Sequence, residues 1–139
     1  GDSVEGVDIT VPVYNFSETH YLPAAYIDGP YKATLFALTG KVNGGTFKGF
    51  AAGEVLFLGA SGSQRGNEDW EISYKFAASP NMAGLSVGAL TGIAKGGWHH
   101  LWVLYSSAVD QYTLIKRPIA AYVEQVYWPG DFSQLGIGT

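Results

Sequence analysis

The chain has 139 residues, of which 47% are hydrophobic, 14% aromatic and only 14% charged, with a formal net charge of −4. The acidic balance excludes a general nucleic-acid binder, and the lack of cysteine excludes disulfides and thiolate metal sites. No apolar run approaches the roughly 20 residues of a membrane span.

The first half of the chain mixes strand patterns with turn signals. Val7 to Phe16 alternates as a strand does, and Pro12 places that strand at a sheet edge. Ser17 to Pro30 predicts an irregular connection. Further predicted elements are a strand over Tyr31–Val42, a hairpin turn at Asn43-Gly44-Gly45 and a return strand over Thr46–Ala52.

The stretch from Gly53 to Phe76 predicts a long β-hairpin at the centre of the core. Val55 to Leu58 is a continuous apolar run, as in a strand that is buried on both faces. Gly59 to Gly66 is rich in glycine and serine and predicts the turn. Trp70, Ile72, Tyr74 and Phe76 then alternate with polar residues, so we expect these four side chains to be buried.

The second half of the chain predicts fewer regular elements. Ala77 to Gly97 is glycine-rich and predicts a surface excursion with one short strand or turn. Strands follow over Trp98–Tyr105 and Ile119–Trp128, separated by a turn over Ser106–Gln111 or by a short helix over Val109–Ile115. The tail, Asp131 to Thr139, is expected to dock through Phe132, Leu135 and Ile137.

Together these patterns predict an all-β fold, an antiparallel sandwich or partly open barrel of about seven strands with long glycine-rich loops. We take residues 1–139 as a single β domain, with residues 1–6 and 131–139 as peripheral arms. The chain opens on Gly1-Asp2-Ser3 without a methionine, so we expect a processed, trimmed or partial chain, with targeting information as one candidate content of the missing N-terminal region.

Four groups of residues could carry chemistry, and each has a simpler interpretation. Adjacent strand residues such as His99 and His100 point to opposite faces, which disfavours a shared metal ion. The carboxylates of Glu68, Asp69 and Glu71 fit a solvated strand end better than a glycosidase pair. Neither the nucleophile-elbow pattern around Ser61 nor the glycine-rich run around Lys95 matches its motif in full. We therefore assign no catalytic, cofactor-binding or metal-ligating residue.

Aromatic residues are the better candidates for contact with a partner. Four tryptophans and nine tyrosines exceed what one small core takes. Any surplus would face another protein chain or a sugar stacked on an exposed ring. The contact candidates are Trp98, Trp102, Trp128, Tyr21 and Tyr26.

Four segments of the sequence resemble uncharacterised β-rich bacterial proteins that are associated with phage-like structural gene clusters. These segments are residues 53–63, 69–81, 92–98 and 117–127, and the resemblance extends over most of residues 7–137. It implies virion or tail-like assembly and carries no assigned chemistry, so it implies no functional residue.

The sequence therefore favours a non-enzymatic structural protein that self-assembles, such as a phage-type virion or tail-like subunit. Its expected partners are copies of itself or other structural subunits, with no nucleic acid, no membrane and no cofactor. This interpretation leaves the location open between a virion and a cytoplasmic assembly. The alternative is a carbohydrate-binding β-domain with exposed aromatic platforms, and a small hydrolase using the acidic cluster ranks third.

Overall fold

The computed structural model of the chain describes residues 2–7, 13–64, 66, 69–87, 90–110 and 113–139, with residues 2–7, 106–110 and 113–119 described by their backbone path. Strands account for 56% and helices for 16%, which confirms the all-β class. The described strands are β1 (Asp2–Val7), β2 (Tyr14–Pro23), β3 (Val42–Asn43), β4 (Val55–Gln64), β5 (Asp69–Ala78), β6 (Met82–Val87), β7 (Leu90–Lys95), β8 (His99–Asp110), β9 (Thr113–Gln125) and β10 (Pro129–Gly130).

The strands form three sheets. The largest has the order β10-β3-β4-β5-β2, and its pairs are antiparallel except for β10 with β3. A three-stranded sheet has the order β1-β8-β9, and β6 pairs with β7. Helix α1 (Gly29–Leu38) and two 3-10 helices, Ala24–Tyr26 and Phe132–Leu135, complete the described elements. The sandwich or barrel arrangement stays a prediction.

Helix α1 replaces the strand that was predicted over Tyr31–Val42. The side chain of Asp28 accepts a hydrogen bond from the backbone N–H of Tyr31 at 2.9 Å, and Pro30 lies in the first turn. An Asp N-cap followed by proline is a strong helix start, because the cap satisfies a free N–H and the proline ring fixes a helical φ. Gly40, with φ +83°, follows the helix in the left-handed conformation common after helix ends.

The central hairpin is confirmed, but its turn is shorter than predicted. β4 pairs with β5 from Val55 opposite Ala78 to Gln64 opposite Trp70, so most of the predicted turn Gly59–Gly66 is strand. Gly59 has φ +125° and lies at a register shift. At Gly62 a Cβ would lie 3.1 Å from Cγ1 of Ile72. Small residues here make room for the large side chains of β5.

The core lies on one face of the five-stranded sheet, under α1 and the C-terminal 3-10 helix. Ile72, Tyr74 and Phe76 are buried as predicted, whereas Trp70 is half-buried and packs at the margin of the core. The tail contributes directly to this core and is not a peripheral arm. Its three predicted docking residues are all buried: Phe132, Leu135 and Ile137.

Several other predictions differ from the structure. The predicted strand Val7–Phe16 falls partly on residues outside the described ranges, and β2 extends through the first half of the connection predicted to be irregular. Residues 1–6 were predicted as an arm, but residues 2–6 belong to β1, which pairs with β8. Ser106–Asp110 continues β8 and Thr113 begins β9, so neither the predicted turn over Ser106–Gln111 nor the helix over Val109–Ile115 is present in the described residues there.

The predicted Asn43-Gly44-Gly45 hairpin and the return strand over Thr46–Ala52 are also wrong. Asn43 is buried, and its amide donates to the carbonyls of Gly45 and Ala51 at 2.7 and 3.0 Å. Its side-chain oxygen accepts from the N–H of Val55 at 2.9 Å. One side chain thus satisfies three backbone groups of this connection and holds it as a wide loop, in which Phe47 and Phe50 form an isolated bridge.

Glu54 joins the five-stranded sheet to the strands that follow it. Its carboxylate accepts the N–H groups of Ala51 and Asn81 at 2.8 and 2.7 Å. Its backbone carbonyl accepts the N–H of Ser79 at 2.8 Å and the indole Nε1–H of Trp98 at 3.0 Å. The segment Ala77–Gly97, predicted as a loose excursion, is therefore anchored at both ends and contains the β6–β7 hairpin.

Candidate interaction surfaces

The five predicted contact residues do not form one site. Trp98 is half-buried, its Nε1 donates to Glu54 and its ring makes an edge contact with Tyr127 at 6.1 Å, so Trp98 is a structural residue. Tyr26 packs on Tyr31 with ring centres 4.8 Å apart and leaves 43% of its surface exposed. Trp128 is 64% exposed.

Trp102 belongs to a patch on β8 and β9 that we call the aromatic face, made of His100, Trp102, Tyr122 and Glu124. Trp102 lies directly opposite Tyr122, and His100 directly opposite Glu124. The indole Nε1 of Trp102 donates to a carboxylate oxygen of Glu124 at 2.7 Å, and the rings of His100 and Trp102 are 4.6 Å apart. Tyr122 is half-exposed, so the face presents aromatic surface and a charge together.

Tyr21 lies on a different surface, the outer face of β2, β5 and β4. The neighbouring side chains there are small and hydroxylated, and we call them the hydroxyl face: Ser17, Thr19, Ser61, Ser63 and Ser73. Thr19 and Ser73 share a hydrogen bond of 3.0 Å. Ser61 pairs with Ser73, which places it in a strand rather than on the sharp turn that a nucleophile elbow requires.

The opposite face of β2 carries ionisable side chains close to the sheet edge. Glu18 accepts a hydrogen bond from Nε2 of His20 at 2.9 Å and lies 3.3 Å from the ammonium group of Lys48. Lys48 also donates to the carbonyl of Ile137. Burial raises the pKa of Glu18, but the hydrogen bonds and charges of His20 and Lys48 outweigh it, so the pKa lies below its ordinary value.

Two of the carboxylates weighed for catalysis lie at the start of β5. Asp69 and Glu71 lie on one face of β5, opposite Pro23 and Tyr21, while Glu68 lies outside the described residues. In the described part of the chain, no three His, Asp or Glu side chains are grouped as a metal would require.

The histidine pair and Lys95 have structural partners near a glycine turn. His99 accepts the N–H of Gly96 through Nδ1 at 2.9 Å, whereas His100 belongs to the aromatic face. Lys95 donates to the carbonyls of Gly96 and Gly97, each at 3.3 Å, and burial lowers its pKa. These contacts hold the turn that leads into β8.

Comparison with protein-family models, with curated proteins and with solved structures finds no significant match to this chain. None of the helices in the described residues has the length and apolar character needed to cross a membrane.

Proposed function

We propose that this chain is a non-enzymatic structural protein that assembles with copies of itself, as a phage-type virion or tail-like subunit does. The observation that carries the proposal is the amount of large apolar side chain left in solvent. Among the described residues, those exposed are Val13, Tyr14, Tyr21, Tyr26, Phe36, Leu58, Tyr122, Val123, Val126 and Trp128. The phage-type part of the proposal rests in addition on the sequence resemblance.

The distribution of these side chains favours several contacts over one. Phe36, 86% exposed, lies on α1, whereas Leu58 lies on β4 and Tyr122 on the aromatic face. Isolated exposed apolar residues are normal. This chain, however, combines many of them with only 14% charged residues, so little of its surface carries the charge that keeps a monomer in solution. Burial against neighbours would remove this surface from water, with well over about 800 Å² buried per protomer.

Mass measurement over a concentration series tests the proposal. Light scattering combined with electron microscopy should give multiples of the 14.9 kDa chain and regular particles or fibres. Phe36→Gln and Trp128→Gln should lower the mass without lowering the melting temperature, and Gln134→Ala, another exposed position, should change neither. A folded protein that stays monomeric at high concentration would refute the proposal.

A second candidate, carbohydrate binding, is favoured by the geometry of the aromatic face. The hydrogen bond to Glu124 fixes the Trp102 ring, and a fixed ring beside a carboxylate suits a sugar that stacks one face and offers hydroxyl donors. Titration with a panel of oligosaccharides should change tryptophan fluorescence in the wild type and not in Trp102→Phe, while Trp128→Phe should respond as the wild type does. No response from the folded wild type would reject this candidate.

A further inference from the structure

In the described part of the chain β2 is an edge strand, and the edge that it leaves unpaired there is long. Among the residues that the structure describes, its single strand neighbour is β5, which pairs with it over all ten residues from Tyr14 to Pro23. An edge of this length presents a row of backbone donors and acceptors that can pair with another strand.

The hydrogen bonds of the neighbouring strands show which β2 residues direct their backbone N–H and C=O groups toward the unpaired edge. We call these the outward residues. Phe57 directs its N–H to Lys41 and its carbonyl to Gly40, away from β5. Phe57 opposite Phe76 is therefore a non-hydrogen-bonded pair, and the backbone of Phe76 is directed to its β2 partner, Phe16. Because this direction alternates along a strand, the even-numbered β2 residues bond to β5. The odd-numbered residues Asn15, Ser17 and Thr19 face outward.

This alternation limits how a second β2 could pair. In an antiparallel pair of identical strands, an outward residue must lie opposite an outward residue, and every two-fold axis that passes through a residue meets this condition, because the two opposed residues are then both odd or both even. With the axis at Thr19, Glu18 lies opposite His20 of the second copy, and Phe16 lies opposite Leu22. With the axis at Ser17, Glu18 would face Phe16 instead. An axis at Glu18 would place two Glu18 carboxylates opposite each other, and an axis at His20 would place Glu18 opposite Leu22. Of these four registers, the axis at Thr19 gives complementary polar pairs and apolar pairs together.

We propose that β2 is a self-complementary edge, at which two copies of the chain pair antiparallel about a two-fold axis at Thr19. The two five-stranded sheets then form one sheet of ten strands. Pro23 lacks an N–H and lies opposite Asn15, where the new ladder ends. This inference rests on the proposed self-assembly and assigns its first contact.

Charged side chains at the edge of a natural sheet often prevent pairing with another strand, so the ionisable residues of β2 need an explanation. Here a carboxylate and an imidazole alternate on one face of the strand: Glu18 and His20 are 2.9 Å apart within one chain. The two-fold axis continues this alternation across the new pair, so that each Glu18 lies opposite an imidazole of the second copy. A slip of the register removes these pairs and places Glu18 against an apolar side chain or a second Glu18.

Single cysteines test the register, because the chain contains none of its own. The Cα atoms of residues on the axis lie about 5.5 Å apart, which suits a disulfide. Thr19→Cys should therefore form covalent dimers under mild oxidation. Ser17→Cys, exposed on the same face of β2, is the matched control, since its two copies would be about 13 Å apart. Equal cross-linking of the two variants would overturn the proposal.

Thr19→Pro tests the edge itself. The outward N–H of Thr19 makes no bond to β5, so proline removes a donor from the new ladder and none from the existing one. Thr19→Lys, which leaves the backbone intact, should place two ammonium groups side by side on the axis. Each variant should remove the dimer while near-ultraviolet circular dichroism stays unchanged, and salt should restore the dimer of Thr19→Lys.

The outcomes separate this inference from the proposed function. If the wild type is oligomeric but Thr19→Cys does not cross-link and Thr19→Lys keeps the wild-type mass, the β2 pairing is wrong and self-assembly stands on other surfaces. If the wild type is monomeric at high concentration, self-assembly and the β2 pairing both fail.

Discussion

The hydroxyl oxygens of Tyr31 and Tyr74 lie 2.5 Å apart in the core, where Tyr31 also donates to the carbonyl of Leu135 at 2.6 Å. Because the single hydroxyl proton of Tyr31 goes to that carbonyl, Tyr74 is the donor to Tyr31. This chain of hydrogen bonds joins α1, β5 and the C-terminal 3-10 helix. Three elements that are distant in sequence thereby share one buried polar connection.

Removal of the Tyr31 hydroxyl should destabilise the fold more than removal of the Tyr74 hydroxyl. Tyr31→Phe leaves the Leu135 carbonyl and the Tyr74 hydroxyl without this partner, at a cost of about 1–3 kcal/mol. Tyr74→Phe preserves the bond to Leu135 and should cost about 0.5–1.5 kcal/mol. Urea unfolding measures the free energy of each variant, with the exposed Tyr14→Phe as control. The opposite order of the two variants would contradict the assigned directions.

The same pair should make the protein sensitive to alkaline pH. Burial raises the pKa of Tyr31 and also raises the pKa of Tyr74. As pH rises past about 10, the unfolded chain releases these protons before the folded chain does. The stability contribution is therefore complete below about pH 10 and is lost above it. Urea unfolding across this range should show a smaller decline for Tyr31→Phe than for the wild type.

Gly97 should not tolerate a side chain. A Cβ at this position would overlap the carbonyl oxygen of Ser79, and the N–H of Gly97 donates to Asn81 at 2.8 Å. Gly97→Ala must move the backbone on one side of the junction and should cost at least about 1–3 kcal/mol. Gly45→Ala, where an added Cβ meets no atom within 4 Å, should lie within about 0.5 kcal/mol of wild type in thermal unfolding. Equal stabilities of Gly97→Ala and Gly45→Ala would contradict the close contact between Gly97 and Ser79.

Trp70→Ala should cost less than a fully buried aromatic would. Trp70 is half-buried beside Lys32, whose ammonium lies 5.3 Å from the ring centre. We expect Phe76→Ala, at a fully buried position, to cost about 3–5 kcal/mol, and Trp70→Ala about 1–3 kcal/mol. Chemical denaturation of the two variants gives the comparison, and a larger loss at Trp70 would contradict its place at the margin of the core.

Alternation predicted the elements in which the two strand faces differ most. Ile72, Tyr74 and Phe76 were assigned correctly because large apolar side chains recur there at every second residue. Helix α1 was missed since its apolar residues surround the helix and do not form a stripe, and the Asp28 cap was interpreted as a turn. The wide loop after β3 depends on the buried side chain of Asn43, which local patterns do not show.

The exposure of the candidate contact residues was predicted in part. Abundant aromatic residues correctly indicated exposed rings at Trp128 and Tyr21, but Trp98 is anchored to Glu54. The partnership of Trp102 with Glu124 depends on strand register, which the sequence alone left open. The pattern of Phe16, Glu18, His20 and Leu22 is visible in the sequence. Its meaning depends on finding β2 at a sheet edge.

The placement of the tail in the core determines when the protein can finish folding during synthesis. β3 is made early but pairs with β10, and Phe132 and Leu135 enter a core whose other members are translated long before them. Because the chain grows at about 5–20 residues per second, Phe57 and Phe76 lack the packing of Phe132 and Leu135 for several seconds. The nascent chain therefore exposes apolar surface until residues 129–137 have left the ribosome.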